Sequence, residues 1–435
     1  MTVFFITFGC KVNCYETQCL KEEFIKSGFD TADSETEADV IIINSCTVTS
    51  ASDKKVRQSI HKMRQENKDA VIVLTGCYPQ AFRDEAMKIT EADIITGTKN
   101  RSRIIELVKK HTGSDDQFVE VSEYSSCDRI DSLRCTSYDN KTRAFVKIQD
   151  GCNQFCSYCI IPFSRGRIRS KSLEDLTQEV STLAANGHQE IVLVGINLAF
   201  YGSGTSLGLA DAVEACCAIE GVKRVRLGSL EPEKITHSDL VRLSGLEQFC
   251  PQFHLSLQSG CDKTLAAMNR KYTCSEYEQL VNDIRDVFPD ASITTDIMTG
   301  FPGETEEDFE ESCLFAQRIR FSKINVFPYS VRVGTRAASM PGQITKKVKS
   351  QRAARMSEIG TRTEKEFLRS QIGKIVPVLF EKENCTEYHH GYSTNYTLVK
   401  IKRTDQTKSL RNKIFYVKIE ESMDDYCIGE IQITE

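Results

Sequence analysis

Three cysteines, Cys152, Cys156 and Cys159, stand in the short segment Gly151-Cys-Asn-Gln-Phe-Cys-Ser-Tyr-Cys159, with the spacing C-x3-C-x2-C. Three thiolates from one loop are soft ligands suited to an iron–sulfur cluster. A four-iron cluster held by three cysteines leaves one iron without a protein ligand, free to chelate a small molecule and pass it an electron. Structural zinc is the competing use. It takes four ligands from paired spacings, and no second C-x2-C lies in the chain.

Three more cysteines share a common setting. Val3–Phe8 leads into Gly9-Cys10, Val40–Ile43 into Asn44-Ser45-Cys46, and Val71–Thr75 into Gly76-Cys77. Each apolar, β-branched run reads as a strand. Helix-like stretches follow, from about Glu16 to Ser27, from about Ser52 to Glu66, and from about Ala81. Such alternation indicates a parallel sheet covered by helices. Parallel strands end on one edge of the sheet, so these three thiols converge on one rim.

The elements that must hold both cysteine sets divide the chain into three. With 435 residues it exceeds what one core usually serves. Residues 1–115 form the first α/β domain, and a stretch of mixed composition, Ser114–Lys141, reads as a linker. Within 138–369 the alternation restarts with strands at Ala144–Gln149, Glu190–Val194, Val222–Leu227, Phe253–Leu257, Ile293–Met298 and Lys323–Phe327. Helices fill the intervals, at Leu173–Asn186, Leu209–Ile219, Ser275–Val287 and Glu306–Arg320. Six strand–helix units are fewer than a closed barrel holds, so an open, partial (β/α)6 barrel is expected. A long polar helix spans Thr345–Gly373. Residues 370–435 then form a small all-β module, with strands at Ile375–Glu381, Tyr396–Ile401, Phe415–Ile419 and Gly429–Ile433.

Composition narrows the setting. Hydrophobic residues make up 40% and charged residues 27%, with a net charge of −5. The apolar runs are strand-sized, well short of the roughly 20 residues a spanning helix needs, and Met1–Cys10 lacks the marks of a signal peptide. A cytoplasmic protein with no membrane partner is expected. Eighteen cysteines in that setting point to metal or redox chemistry rather than a disulfide framework. Cys216, Cys217, Cys250 and Cys313 read instead as small buried hydrophobes.

The loop around Cys152 resembles that of the radical S-adenosylmethionine superfamily, whose partial barrels carry it after the first strand. The resemblance implies a 4Fe-4S cluster whose open iron chelates S-adenosylmethionine, with Tyr158 against the adenine. Further cofactor-binding candidates lie at strand ends: Gly195 and Asn197 after the second strand, Ser229 and Glu231 at the third, Gln258 at the fourth and Gly300 at the fifth.

Thr7-Phe-Gly-Cys-Lys-Val-Asn-Cys-Tyr-Glu-Thr17, Asn44-Ser-Cys-Thr-Val-Thr49 and Gly76-Cys-Tyr-Pro-Gln80 are similar to the three cysteine motifs of the methylthiotransferase family. Cys152–Arg169, Phe253–Thr273 and Thr295–Phe309 are similar to its radical domain, and Ser370–Glu435 resembles its TRAM module. The resemblance implies that Cys10, Cys46 and Cys77 hold a second 4Fe-4S cluster carrying the sulfur to be transferred. The form of Gly9–Asn13 resembles the branch that methylthiolates N6-threonylcarbamoyladenosine beside the tRNA anticodon. Isopentenyladenosine in tRNA and a ribosomal-protein side chain are the sister substrates. Two departures are Cys14, with Cys19 beyond it, as alternative thiols, and Pro79 where alanine is frequent; Cys10 is preferred because it follows its strand directly.

The implied partner is a tRNA anticodon stem-loop, with flavodoxin or ferredoxin as reductant. Charge supports an RNA partner. Arg318–Lys374 holds fourteen Lys or Arg against three Glu, and Arg165, Arg167, Arg169 and Lys171 follow the cysteine loop. Tyr388, Tyr392 and Tyr396, beside His389 and His390, are candidates for stacking unpaired bases or for filling a small core. An iron–sulfur or zinc RNA-binding protein without turnover is the reading from another class.

Overall fold

The computed structural model describes the whole chain except residues 112–115, 126, 139–140, 383–385, 404–408 and 433–435. Its first sheet is parallel throughout, in the order β2-β1-β3-β4-β5-β6. The strands are β1 (Thr2–Thr7), β2 (Asp30–Thr31), β3 (Val40–Ser45), β4 (Val71–Gly76), β5 (Ile94–Thr96) and β6 (Phe118–Glu120). Central β3 is buried along its whole length, as a strand covered on both faces must be. Neighbours β1, β3 and β4 are in register, Thr7 opposite Asn44 and Asn44 opposite Thr75. The three cysteines beyond them therefore emerge side by side. The stretch read as a linker contributes β6, which extends this sheet; its residues 114–115, 126 and 139–140 lie outside the described ones.

Two helices begin earlier than their polarity suggests. The first spans Lys11–Lys26, and a short one, Cys77–Ala81, starts on the cysteine itself. The opening turn of the first buries Val12 and Tyr15 against the central domain rather than against its own sheet, which masks the amphipathic period.

All six expected barrel strands are present. They are β7 (Arg143–Asp150), β9 (Glu190–Gly195), β10 (Arg224–Leu227), β12 (Gln252–Leu255), β13 (Ser292–Thr299) and β14 (Lys323–Pro328), with two-residue β8 (Arg169–Ser170) and β11 (Ser229–Leu230) between. They form two sheets, β10-β9-β7-β8 and β11-β12-β13-β14, linked by a bridge from Val225 to Phe249. Strand alternation sorts the side chains. Ile191 and Leu193 of β9 pack outward with Leu176 and Val180, while Val192 and Val194 face inward and receive Val12. Cys216, Cys217, Cys250 and Cys313 are buried, and every described cysteine is a free thiol. Among the described residues no helix is long and apolar enough to cross a membrane.

After the long helix Lys346–Arg369 the chain closes a five-stranded barrel, β15-β16-β17-β19-β18. Its strands are β15 (Ile375–Phe380), β16 (Tyr388–Ser393), β17 (Leu398–Lys402), β18 (Ile414–Ser422) and β19 (Cys427–Ile431); residue 433 of the expected last strand lies outside the described residues. Sequence patterning misses β16 because its buried positions are His389, Gly391 and Ser393, which carry no apolar alternation. Only glycine fits at 391, where a Cβ would stand 2.4 Å from the Leu379 carbonyl oxygen.

Two of the tyrosines offered for base stacking are already engaged. The rings of Tyr392 and Tyr396 stack on each other at 4.5 Å. Arg143 lies over both, and Arg226 lies 4.6 Å from the Tyr396 centroid. Arg226 also donates to the Thr394 and Ser393 carbonyls and pairs with Glu190 at 3.0 Å. Arg143, Glu190 and Arg224 begin β7, β9 and β10, so the module is fastened to the N-terminal end of the barrel. Replacing Tyr396 with alanine should destabilise this junction by about 2 kcal/mol, from one aromatic stack and two cation–π contacts. Limited proteolysis is expected to release the module faster from that variant; an unchanged cleavage rate would contradict the assignment.

Candidate functional site

Close backbone approach builds the first thiol group. Gly9 has φ +119°, and a Cβ there would stand 2.7 Å from the Cys46 Cβ. Gly76, with φ +103°, would place one 2.5 Å from the Ser45 carbonyl oxygen. Asn13 ties the loops together, donating to the Phe8 and Ser45 carbonyls at 3.0 Å each. Cys46 and Cys77 are buried, whereas Cys10 is accessible. Burial, reinforced by neighbouring Cys77, pushes the Cys46 thiol up to about 12. Of the alternative thiols, Cys19 points into the central core and Cys14 lies one helical turn beyond Cys10.

A second domain completes this group. Arg165, six residues after Cys159, is fully buried and its Nε donates to the Cys77 Sγ at 3.2 Å. Its Nη2 reaches the Asn13 Oδ1 at 2.9 Å and the Glu16 carboxylate at 3.0 Å. Glu16 also meets Lys147 of β7 and Arg101, each at 2.9 Å, and Lys147 pairs with Asp150 at 3.1 Å. Burial alone would raise the Glu16 carboxyl; Arg101, Arg165 and Lys147 outweigh it and hold it below the usual carboxylate range.

The second thiol group is the loop after β7. Gly151 has φ +76°, and a Cβ there would lie 1.9 Å from the Arg167 carbonyl oxygen. Asn197 Nδ2 donates to Cys152 Sγ at 3.5 Å, and Arg270 Nη1 to Cys156 Sγ at 3.2 Å. Arg270 is held in turn by Glu231 and by the Ser256 carbonyl. Each thiol group thus receives one buried arginine. Sequence reasoning missed the Arg270 contact, because nothing local ties that residue to a loop more than a hundred positions earlier; Arg165 was read only as positive charge.

Of the expected cofactor residues, Asn197 touches this loop directly and Glu231 reaches it through Arg270. Tyr158 packs with Met268, Met298 and Phe301. Gly195 ends β9 close against the Gln149 side chain, and Gly300, with φ +71°, follows β13 beside Lys349. Ser229 opens β11, and Glu231 is occupied by Arg270. Asn197 Oδ1 and Gln258 Oε1 are buried acceptors without a protein partner among the described residues. Such orphans suit a bound polar ligand. Among the described residues no three Cys, His, Asp or Glu side chains close on a single metal-ion position. A cubane cluster takes each thiolate at a different iron, so two sets of three thiols that close on no single point suit clusters.

A cavity of about 490 Å³ joins the two halves, with Cys10 and Lys11 on one wall and Gly195 and Ser229 on another. It lies inside the partial barrel, where the Lys11–Lys26 helix lays Val12 on Val192 and Val194.

The basic segments are less free than composition implies. Arg165 and Lys171 are buried, leaving Arg167 exposed. Arg352 pairs with Glu304, Arg355 with Glu310, Lys365 with Asp424 and Lys374 with Asp290. Arg336, Lys346, Lys347, Arg362 and Arg369 remain exposed.

Comparison with known proteins agrees with this geometry. The model of the radical SAM superfamily matches residues 146–316, and that of the family described as Uncharacterized protein family UPF0004 matches residues 2–97. The barrel and its cysteine loop are those of a radical S-adenosylmethionine enzyme. Threonylcarbamoyladenosine tRNA methylthiotransferase MtaB of Bacillus subtilis is 36% identical over 435 residues, covering 99% of this chain and 96% of its own. The tRNA-2-methylthio-N(6)-dimethylallyladenosine synthase of Alkaliphilus oremlandii is 33% identical over 437 residues, covering 98% and 91%. The chain belongs to the radical S-adenosylmethionine tRNA methylthiotransferase family. Among solved structures, the radical S-adenosylmethionine methyltransferase TsrM from Kitasatospora setae, with cobalamin and a 4Fe-4S cluster bound, shares the fold at a TM-score of 0.60 and 14% identity, over 78% of this chain and 77% of that one.

Replacing Glu16 with glutamine should cost about 3–5 kcal/mol at neutral pH, because it leaves Arg101, Arg165 and Lys147 short of a buried counter-charge. The depressed carboxyl sets the pH window. Its contribution is complete above the ordinary Glu value of about 4.3 and is lost as pH falls from there through the folded value. Urea unfolding should show a constant gap between wild type and E16Q from about pH 5 to 8, narrowing below about pH 4. A gap absent at pH 7 would contradict the assignment.

Proposed function

We propose that this enzyme places a methylthio group on an adenosine of tRNA, with N6-threonylcarbamoyladenosine beside the anticodon as its substrate. The observation that carries the reading is the pairing of two three-thiol groups, each with a buried arginine donor, tied together by Arg165, which follows the Cys152–Cys159 loop and donates to Cys77. On this reading residues 1–115 are the methylthiotransferase domain, 138–369 the radical domain and 370–435 the TRAM module. Cys152, Cys156 and Cys159 hold one 4Fe-4S cluster, and Cys10, Cys46 and Cys77 hold the other. When bound, S-adenosylmethionine and these clusters supply the hydrogen-abstracting and sulfur-donating chemistry.

The chain's own residues bind, orient and shield. Asn197 Oδ1 and Gln258 Oε1 are placed to accept from the polar groups of S-adenosylmethionine, with Tyr158 beside its adenine and Gly195, Ser229 and Gly300 giving room along the groove. Glu231 acts by holding Arg270 against Cys156. Arg165 and Arg270 each place positive charge on a thiol that must ionise to bind iron. The electron comes from outside the chain, from a flavodoxin- or ferredoxin-type reductant, and work on tRNA places the enzyme in the cytoplasm.

The rim supports RNA as partner. Phe155 and Phe163 flank the cysteine loop, each 54% exposed, with ring centroids 6.0 Å apart. Phe155 is held at φ +48° while the Asn269 amide donates to its carbonyl. Exposed aromatics beside exposed Arg167 and Arg336 suit an unpaired loop. The relatives named for threonylcarbamoyladenosine, 36% identical, support that nucleoside over the 33% identical dimethylallyl enzyme.

The two thiol groups should separate functionally. Cys152→Ala is expected to abolish both 5′-deoxyadenosine formation and methylthiolated tRNA, whereas Cys46→Ala abolishes the tRNA product and still cleaves S-adenosylmethionine. Full product from Cys46→Ala would sink the two-cluster reading. Liquid chromatography of tRNA nucleosides with and without the protein tests the substrate. Loss of only 2-methylthio-N6-threonylcarbamoyladenosine is expected; loss of the isopentenyl derivative would assign the sister reaction.

A further inference from the structure

The cavity inside the barrel, with Cys10 on its wall, carries one cation that the chemistry described so far does not use. Lys11 follows Cys10 directly and lines the cavity with it. It forms no ion pair or side-chain hydrogen bond among the described residues, and it is exposed where the cavity opens. The other charges on the walls are satisfied. Lys323 pairs with Glu364 at 3.0 Å, and Asp296 is met by His254 at 3.3 Å and by the Asn325 amide at 3.0 Å. Deeper in, Arg143 and Arg226 add positive charge and Glu190 answers part of it.

An ammonium without a protein counter-ion favours an anion or water as its neighbour over a hydrocarbon, which would strip its hydration. The two adenosine derivatives named for the relatives differ in this respect. A dimethylallyl group is wholly apolar, whereas a threonylcarbamoyl group ends in a carboxylate and carries a hydroxyl. The remaining walls agree, since Gln252, Thr294 and Asn325 offer polar groups around the same space. We propose that Lys11 is the specificity-determining residue of this cavity, its ammonium receiving the carboxylate of the substrate's threonyl group. The inference rests on the nucleoside reading above and sharpens it. Lys11 positions the base through its N6 substituent and touches neither the hydrogen nor the sulfur that moves.

The test compares three synthetic anticodon stem-loops, bearing threonylcarbamoyladenosine, its methyl ester or isopentenyladenosine, with reconstituted wild type, K11M and K11R of verified iron content. Binding is read by fluorescence anisotropy and turnover by nucleoside chromatography. Wild type should bind the acid about tenfold or more tightly than the neutral ester, as loss of a charge-assisted contact implies. K11M should bind acid and ester alike, and K11R should keep the preference. The ester arm needs no variant, so it decides even if K11M fails to load iron. Equal wild-type affinity for acid and ester, or undiminished discrimination by K11M, would overturn the role of Lys11 and leave the nucleoside reading standing. Methylthiolation of the isopentenyl stem-loop in place of the other two would overturn the nucleoside reading and the inference with it.

Discussion

The geometry depends on one buried carboxylate. Glu16 sits on the first helix of the N-terminal domain, and the cations around it come from three places: Arg101 from its own domain, Lys147 from the first barrel strand, and Arg165 from the turn after the cysteine loop. Each of these charges would be costly alone in the interior, and together they are tolerable only in this arrangement. The two domains therefore have one low-energy docking. Because Arg165 also donates to Cys77, the same arrangement fixes one thiol group relative to the other.

That docking explains how an incomplete barrel works here. The helix Lys11–Lys26 lays Val12 on the inward face of β9, against Val192 and Val194. The start of that helix thus becomes a wall of the cavity, carrying Cys10 and Lys11 to face Gly195 and Ser229. The far end is occupied by the C-terminal barrel, fastened through Arg143, Arg226 and the stacked pair Tyr392 and Tyr396. Phe155 and Phe163 stay exposed beside the cysteine loop.

Much of this was legible in the sequence because it depends on local pattern. The cysteine spacing, the strand-then-cysteine repeats and the six barrel strands follow from residue type and period, and all three reappear in the structure. What escaped depends on long-range contact. Arg165 and Lys171 read as solvent-facing charge, yet both are buried in ion pairs, Arg165 with distant Glu16 and Lys171 with Glu179 on the following helix. Arg270 gave no sign that it reaches Cys156. Strand β16 was invisible because His389, Gly391 and Ser393 occupy its inward positions. Tyr392 and Tyr396 looked available for bases until the arginines at the barrel floor claimed their faces.

The central claim is that each thiol group holds a cluster, the two being neighbours joined through Arg165. Electron paramagnetic resonance of the dithionite-reduced, reconstituted protein tests it most directly, because two paramagnetic centres at such close quarters broaden each other's signals. Wild type should show a coupled spectrum that collapses to that of a single isolated cluster in Cys46→Ala. Identical spectra from wild type and Cys46→Ala would contradict the account.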